Sequence, residues 1–195
     1  MIGRGQREEG AGVVEPGFVL VLNGGYGVGK STVLDHVGDL LAEAGRAFSL
    51  FDVDWFHRSW PPSADDPANV IAEADNLAAV WARYRQVGPR QPVLSGVVAS
   101  RADLDRYAAA FGLPVRSVRL EASPAVTVAR LEGRYAGHRV EALAWHLARH
   151  AALARRLVQA DLDELVVDTD GRTAHAVATS VLGHVGLLTS PVAQS

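Results

Sequence analysis

The stretch that decides the fold is Gly24-Gly25-Tyr26-Gly27-Val28-Gly29-Lys30-Ser31. It satisfies the pattern G-x-x-x-x-G-K-[ST] and lies between a continuous apolar run, residues 18–22, and a segment whose apolar residues recur at helical spacing. Glycines let successive backbone N–H groups turn toward an anion, and the start of the following helix adds positive potential. The order of strand, glycine-rich loop and helix therefore predicts a phosphate-binding loop.

The loop carries the predicted contacts to ATP. We expect its phosphates to be bound by Gly25, Tyr26, Gly27, Val28, Gly29, Lys30, Ser31 and Thr32. Lys30 reaches the outer phosphates, and Ser31 offers an oxygen ligand to Mg²⁺. Lys30 is the only lysine among 19 basic residues, and a compact ammonium fits between phosphates better than a planar guanidinium. A dinucleotide fingerprint fails, because Lys30 or Thr32 stands where its third glycine belongs.

Segments of strand and helix character alternate along the rest of the chain. We predict strands over residues 47–53, 92–98, 115–120 and 165–167, and helices over residues 31–44, 70–87, 102–111, 124–135, 140–160 and 173–186. Strands separated by such helices pair in parallel through right-handed crossovers, which predicts a doubly wound α/β fold. We assign residues 17–186 to a single domain, residues 1–16 to a disordered leader and residues 187–195 to a loose tail.

The composition limits the classes of protein that the chain can represent. Its 195 residues, 48% of them apolar, provide material for one core. The chain has no cysteine, which excludes disulfides and thiolate chemistry. A net charge of -3 gives no basic face, so we expect no nucleic-acid partner. No apolar stretch is long enough for a membrane span or a signal peptide, so we expect a cytoplasmic protein without a membrane partner.

Two carboxylates, Asp52 and Asp54, end the second predicted strand. Open α/β sheets bind ligands at this edge, and alternation along a strand directs both side chains to the same side. Asp54 is therefore a candidate proton acceptor for a substrate hydroxyl, and Asp52 is a candidate to hold Mg²⁺ with Ser31. Aspartates after a strand also form turns and helix caps, and this alternative stays open.

Three nearby residues are candidates for binding the second substrate. Trp55 offers an apolar wall, Arg58 can hold an anionic or polyhydroxyl group, and Gly96 allows a close approach to the backbone. Alternatively, Trp55 covers the apolar core, Arg58 forms a surface ion pair, and Gly96 only permits close packing. We expect His57 to be structural. The third predicted strand ends without an acidic residue, which disfavours a motor ATPase or helicase.

Arginines are predicted to close over the nucleotide. Arg130 and Arg134 share one helix face, Arg139 follows, and we expect residues 130–140 to form a lid that stabilises charge on the transferred phosphoryl group. The alternative is a solvated basic helix end. Arg172, in the turn after the last strand, is a candidate to contact the adenine.

The loop at residues 24–31, the D-x-D of Asp52 and Asp54, Gly96, and the R-L-x-x-R that ends at Arg134 resemble the small P-loop kinases of the nucleoside-monophosphate-kinase superfamily, such as shikimate kinase, gluconate kinase and chloramphenicol phosphotransferase. The resemblance spans most of residues 17–186. It implies a three-layer P-loop NTPase fold with about five parallel strands in the order 2-3-1-4-5, helices on both faces and an arginine-bearing lid. Shikimate is not implied as the substrate, because the sequence lacks the run of glycines at Gly96.

Residues and resemblance together favour a kinase that transfers the γ-phosphate of ATP to a hydroxyl of a small molecule, either a metabolite or an antibiotic. Lys30, Asp54, Arg130 and Arg134 are the predicted catalytic residues, and Mg²⁺ is the predicted metal. The alternative is a nucleotide-binding regulatory ATPase or switch protein without a phosphoryl acceptor. No pattern in the sequence indicates the oligomeric state.

Overall fold

Five parallel strands form the central sheet, in the order β2-β3-β1-β4-β5. The computed structural model describes residues 15–135 and 139–188. The strands are β1 (Val19–Gly24), β2 (Phe48–Asp52), β3 (Gln91–Ser95), β4 (Val115–Glu121) and β5 (Leu165–Asp168). The helices are α1 (Lys30–Glu43), α2 (Val70–Tyr84), α3 (Arg101–Phe111), α4 (Pro124–Arg134), α5 (Val140–Ala160) and α6 (Ala174–His184). The predicted three-layer α/β fold and strand order are confirmed.

The sheet separates two apolar cores. Helices α1 and α6 cover one face, where Val37 and Val181 are fully buried. Helices α2 and α3 cover the other face with Leu77, Trp81 and Phe111. Strand β1 is buried along its whole length because it has neighbours on both sides and helices on both faces. Among the described residues, no helix combines the length and apolarity that a membrane span requires.

Strand β2 ends one residue earlier than predicted. The Asp52 carboxylate accepts a hydrogen bond from the backbone N–H of Asp54 at 3.2 Å and starts a 3₁₀ turn, Val53–Trp55. Such side-chain bonds to the backbone compete with strand pairing. Asp54 therefore lies in a turn and is not part of the strand. The prediction that strand alternation directs Asp54 to the same side as Asp52 is wrong for that reason.

Strand β3 also ends early, at Ser95 rather than residue 98. The backbone N–H and carbonyl of Val98 are bonded to the side-chain amide of Asn23, at 2.8 and 2.9 Å, instead of to a neighbouring strand. The segment after β3 is thus anchored to the end of β1, beside the phosphate-binding loop.

Side-chain caps fix where the helices around the sheet begin. The Ser100 hydroxyl accepts from the backbone N–H of Asp103 at the start of α3, and Ser123 does the same for Val126 in α4. The Asp66 carboxylate accepts from the first backbone N–H groups of α2. These contacts satisfy amides that have no partner within the helix.

The predicted leader, tail and lid extend beyond the described residues. Of the leader, residues 1–14 lie outside the described residues, as do residues 189–195 of the tail and residues 136–138 of the lid. The domain boundaries therefore stay a prediction.

Candidate active site

The phosphate-binding loop depends on three glycines with left-handed backbone. Gly24, Gly27 and Gly29 have φ angles of 148°, 77° and 99°. A Cβ atom on Gly24 would lie 2.7 Å from the Leu120 carbonyl oxygen, and one on Gly27 would lie 3.1 Å from Cγ of Leu131. Another residue would therefore meet a strained backbone at all three positions, together with a steric clash at Gly24 and tight packing at Gly27. All of residues 25–32, the predicted nucleotide-binding residues, line one cleft.

The Lys30 side chain is hydrogen-bonded to the backbone of this loop. Its Nζ donates hydrogen bonds to the carbonyl oxygens of Gly24 at 2.8 Å and Gly25 at 3.0 Å. Burial lowers the pKa of Lys30 to about 8, an effect that the nearby Asp54 carboxylate opposes and the Arg134 guanidinium reinforces. An anion in the loop would offset the desolvation of the ammonium and hold it charged.

Ser31 and Asp52 are brought together from α1 and β2. The Ser31 hydroxyl donates to Oδ2 of Asp52 at 2.7 Å. A hydroxyl and a carboxylate are hard oxygen donors of the kind that Mg²⁺ selects, and Mg²⁺ in kinase sites takes its remaining ligands from phosphates and water. The pair therefore has the chemistry that a Mg²⁺ site beside bound phosphates requires.

Arg130 connects the loop to the turn after β5. Its Nη1 donates to the Val28 carbonyl at 3.1 Å and to Oγ1 of Thr169 at 2.9 Å, and its Nη2 donates to the Thr169 carbonyl at 3.1 Å. The structure thus places Arg130 at the loop, with its guanidinium held by protein groups, and its contact with a transferred phosphoryl group stays a prediction.

Arg134 and Arg139 approach the cleft from α4 and from the start of α5. Their guanidinium carbons lie 5.6 and 5.3 Å from the centre of the Tyr135 ring. Both residues line the same cleft as Lys30. Both predicted arginines therefore lie around one aromatic ring in the cleft that also contains Lys30.

Arg172 also lines the cleft, but one of its guanidinium nitrogens, Nη2, is already used within the fold. Its Nη2 donates to the Ala176 carbonyl at 3.0 Å and to the Ser180 hydroxyl at 2.6 Å in α6. A contact with adenine would have to use the flat face or the free edge of the guanidinium.

Tyr26 joins the loop to helix α5. Its ring packs edge-on against Trp145 and His146, with centroid distances of 5.4 and 5.0 Å. Burial and then the Asp54 carboxylate raise the pKa of Tyr26. The side chain of this predicted nucleotide-binding residue thus couples the loop to α5.

The opposite wall of the cleft contains a hydrogen-bonded chain that the sequence analysis missed. The Tyr107 hydroxyl donates to Oε1 of Glu73 at 2.9 Å, and Oε2 of Glu73 lies 2.9 Å from Nδ1 of His57. Burial and then the Glu73 carboxylate raise the pKa of Tyr107, so its hydroxyl remains a donor. One signal was available: Glu73 occupies the buried face of α2 at the spacing of Leu77 and Trp81.

The three residues predicted to bind the second substrate are placed differently. Gly96 lines the cleft, and a Cβ atom there would lie 3.2 Å from Val53 and 3.4 Å from the Tyr107 hydroxyl. Arg58 also lines the cleft, with its guanidinium 4.5 Å from the centre of the Trp55 ring. Trp55 itself is 70% exposed and is not among the lining residues, so it supports Arg58 from outside.

These groups face one continuous cleft of about 870 Å³. We call residues 25–32 with Arg130 and Arg134 the phosphate side. We call the wall formed by Asp54, His57, Arg58, Glu73, Gly96 and Tyr107 the acceptor side. The volume is in the range of clefts that hold drug-sized ligands, and it lies at the carboxyl ends of the strands.

Comparisons with known proteins place the chain by its fold. No protein-family model matches it, and no curated protein matches its sequence. A gluconokinase from Sinorhizobium meliloti 1021 is 18% identical, with a TM-score of 0.59 over 89% of this chain and 94% of its own. A tunicamycin resistance protein from Deinococcus radiodurans is 19% identical, with a TM-score of 0.61 over 91% and 99%.

A third solved structure is similar and contains ligands. It is an APS kinase from Mycobacterium tuberculosis in complex with AMPPNP and APS, 20% identical, with a TM-score of 0.54 over 88% of this chain and 99% of its own. At such identities the likeness establishes the fold alone. The chain has the fold of the P-loop small-molecule kinases, as the resemblance in its motifs predicted.

Proposed function

We propose that this protein transfers the γ-phosphate of ATP to a hydroxyl group of a small molecule. The observation that carries the proposal is the single cleft in which a phosphate-binding loop faces a second, ordered polar wall. A regulatory ATPase or switch protein needs only the phosphate side. A fold shared with a gluconokinase and an APS kinase supports the same choice.

The residues of the cleft divide the reaction between them. Lys30 and Arg134 stabilise negative charge on the transferred group, and Arg130 holds the loop in shape. The acceptor oxygen forms a bond to the γ-phosphorus while the bond to the β–γ bridging oxygen breaks. The hydroxyl proton passes to Asp54, and ADP leaves. Positioning and charge neutralisation provide most of the catalysis in such transfers.

Mg²⁺ is part of the proposal. Ser31 and Asp52 would hold it together with phosphate oxygens, and the ion would neutralise phosphate charge. The described residues contain no group of three His, Cys, Asp or Glu side chains that could bind a metal without a substrate. Nucleotide binding should therefore make Mg²⁺ binding much tighter. The adenine contact of Arg172, the acceptor contact of Trp55 and a cytoplasmic location stay predictions.

Acceptor-dependent release of ADP tests the proposal. The protein is incubated with ATP, Mg²⁺ and a panel of neutral and anionic hydroxylated compounds, including D-glucitol, D-gluconate, uridine, uridine monophosphate and chloramphenicol. We expect at least one compound to raise ADP release above the basal rate and to gain a phosphate by mass spectrometry. If every compound leaves the basal rate unchanged, the regulatory alternative is favoured.

Asp54→Asn should lower turnover by roughly 10²- to 10⁴-fold, because the proton acceptor is removed. The dissociation constant for ATP, measured by calorimetry, should stay near the wild-type value. Asp75→Asn is the matched control, since Asp75 is exposed on α2 and does not line the cleft. Wild-type turnover in Asp54→Asn would remove Asp54 from its proposed role.

A further inference from the structure

The chain of His57, Glu73 and Tyr107 has no part in the proposed phosphoryl transfer, yet it links three residues of the acceptor side by hydrogen bonds. Its members come from three separate elements: the segment after β2, helix α2 and helix α3. Glu73 is 8% exposed and Tyr107 is 2% exposed. Burying a carboxylate is unfavourable unless both oxygens find donors, and here each oxygen has one. The chain therefore holds His57 in one orientation.

Glu73 also determines which ring nitrogen of His57 is available to a ligand. A carboxylate only accepts hydrogen bonds, so Nδ1 of His57 must carry the hydrogen that lies against Oε2 of Glu73. None of the described residues makes a hydrogen bond to Nε2, and the side chain is 37% exposed in the cleft wall. Nε2 is thus the atom that His57 presents to a bound acceptor.

Charged groups of both signs line the cleft. Asp54 and Glu73 supply two carboxylates to the acceptor side, and Lys30 and Arg106 interact with Asp54 and Glu73, respectively. The lining therefore does not exclude an anionic acceptor, and the hydrogen-bonding capacity of His57 decides which group it binds.

A hydroxyl group fits Nε2 in either protonation state of the ring. It donates to the lone pair of a neutral imidazole and accepts from an imidazolium. The hydroxyl that is phosphorylated must lie at Asp54, so the group at His57 is a second one. Gly96, which lines the cleft beside the Tyr107 hydroxyl, adds no side chain to this part of the wall.

We propose that the acceptor carries at least two hydroxyl groups, and that His57, positioned by Glu73 and Tyr107, binds the hydroxyl that is not phosphorylated. This inference rests on the proposed kinase function and adds the class of its acceptor. His57 is then a specificity-determining residue, and Glu73 and Tyr107 are positioning residues.

The test is His57→Asn, which separates binding from structure. The asparagine amide can still donate to Glu73 from the place of Nδ1, but the variant has no atom in the place of Nε2. With the panel compound that the wild-type enzyme phosphorylates fastest, we expect the acceptor KM to rise about tenfold, as for the loss of one hydrogen bond. The KM for ATP, kcat and Tm should remain close to wild type.

Two further variants complete the experiment. Tyr107→Phe should raise the acceptor KM less than His57→Asn does, since it only loosens the positioning of Glu73. Glu43→Gln, an exposed change at the end of α1, should have no effect. A purely structural role for the chain predicts a lower Tm in Tyr107→Phe with an unchanged acceptor KM in both cleft variants, and this result would overturn the proposal.

The panel separates failure of this inference from failure of the kinase function. Phosphorylation of a panel compound together with a raised acceptor KM in His57→Asn supports the inference. Phosphorylation of a panel compound with an unchanged acceptor KM in His57→Asn overturns the inference and leaves the kinase function standing. If no compound is phosphorylated by the wild-type protein, both proposals fail.

Discussion

The phosphate side and the acceptor side of the cleft are built in different ways. The loop of the phosphate side is one continuous stretch, and its shape is set by glycine backbone. The acceptor side joins side chains that are 16 and 34 residues apart in the sequence. A backbone cradle recognises any phosphate, whereas a wall of separate side chains recognises one arrangement of groups. Changes to the first should therefore affect every acceptor, and changes to the second should affect the choice among acceptors.

The largest expected effect is at Lys30. Lys30→Ala should lower turnover by about 10³-fold with every acceptor, because a charge that stabilises the transition state is lost. The acceptor KM should change little, which would separate the two sides of the cleft. Single-turnover transfer from labelled ATP measures the effect.

Lys30→Arg is the sharper variant, since every other basic residue of the chain is arginine. The guanidinium cannot adopt the compact position between the carbonyl oxygens of Gly24 and Gly25. We expect it to restore little of the lost turnover. Wild-type turnover in Lys30→Arg would show that the phosphate side needs only a positive charge.

Gly27→Ala tests whether backbone shape alone makes the phosphate side. The new Cβ atom would lie 3.1 Å from both the Thr127 carbonyl oxygen and Cγ of Leu131, at a φ of +77°. We expect the free energy of unfolding to fall by about 3 kcal/mol, because backbone strain and overpacking act together. If the loop shifts to relieve the close contact, the binding free energy of ATP weakens by about 2 kcal/mol, and the Kd for ATP rises roughly 30-fold.

Gly45→Ala is the matched control for Gly27→Ala. Gly45 has a φ of +66°, but no atom lies within 4 Å of its Cβ position, and it follows the far end of α1. Gly45→Ala should therefore lower the free energy of unfolding by about 1 kcal/mol, because of backbone strain, and leave the Kd for ATP unchanged. Equal effects of the two variants on ATP binding would contradict a role of loop shape.

The same contrast explains what could be predicted from the sequence. The loop follows from a local motif, because a P-loop requires a buried strand before it and a helix after it. The strand order was implied by the resemblance of the motifs to small P-loop kinases. The role of Glu73 was not predicted, because in the sequence it is a single polar residue in a helix. It gains its partner Tyr107 only when α2 and α3 pack together. Burial and partners are properties of tertiary packing.

The periodicity of apolar residues also does not predict the turns at the strand ends. Asp54 was expected to continue the alternation of β2, but the Asp52 side chain captures its backbone N–H. Trp55 was expected in the cleft, and the same 3₁₀ turn leaves it exposed under Arg58. One side-chain hydrogen bond thus redirects the residues that follow, and a pattern of apolar positions does not encode it.

The smallest expected effect is a pH dependence confined to the phosphate side. The pKa of Lys30 is about 8 without nucleotide, mainly because of burial, and the phosphates of ATP must raise it. Binding therefore takes up a proton above pH 8 and none well below it. If only the ammonium form binds, the affinity for ATP should fall about tenfold between pH 7 and pH 9.

Calorimetry in two buffers with different ionisation enthalpies measures this proton uptake directly. Near pH 8.5 we expect between zero and one proton to be taken up for each ATP bound. Lys30→Arg should abolish the uptake, because a guanidinium stays protonated throughout this range. Proton release on binding, or the same uptake in Lys30→Arg, would mean that another group titrates. The lowered pKa of Lys30 would then have no part in how the phosphate side recognises its ligand.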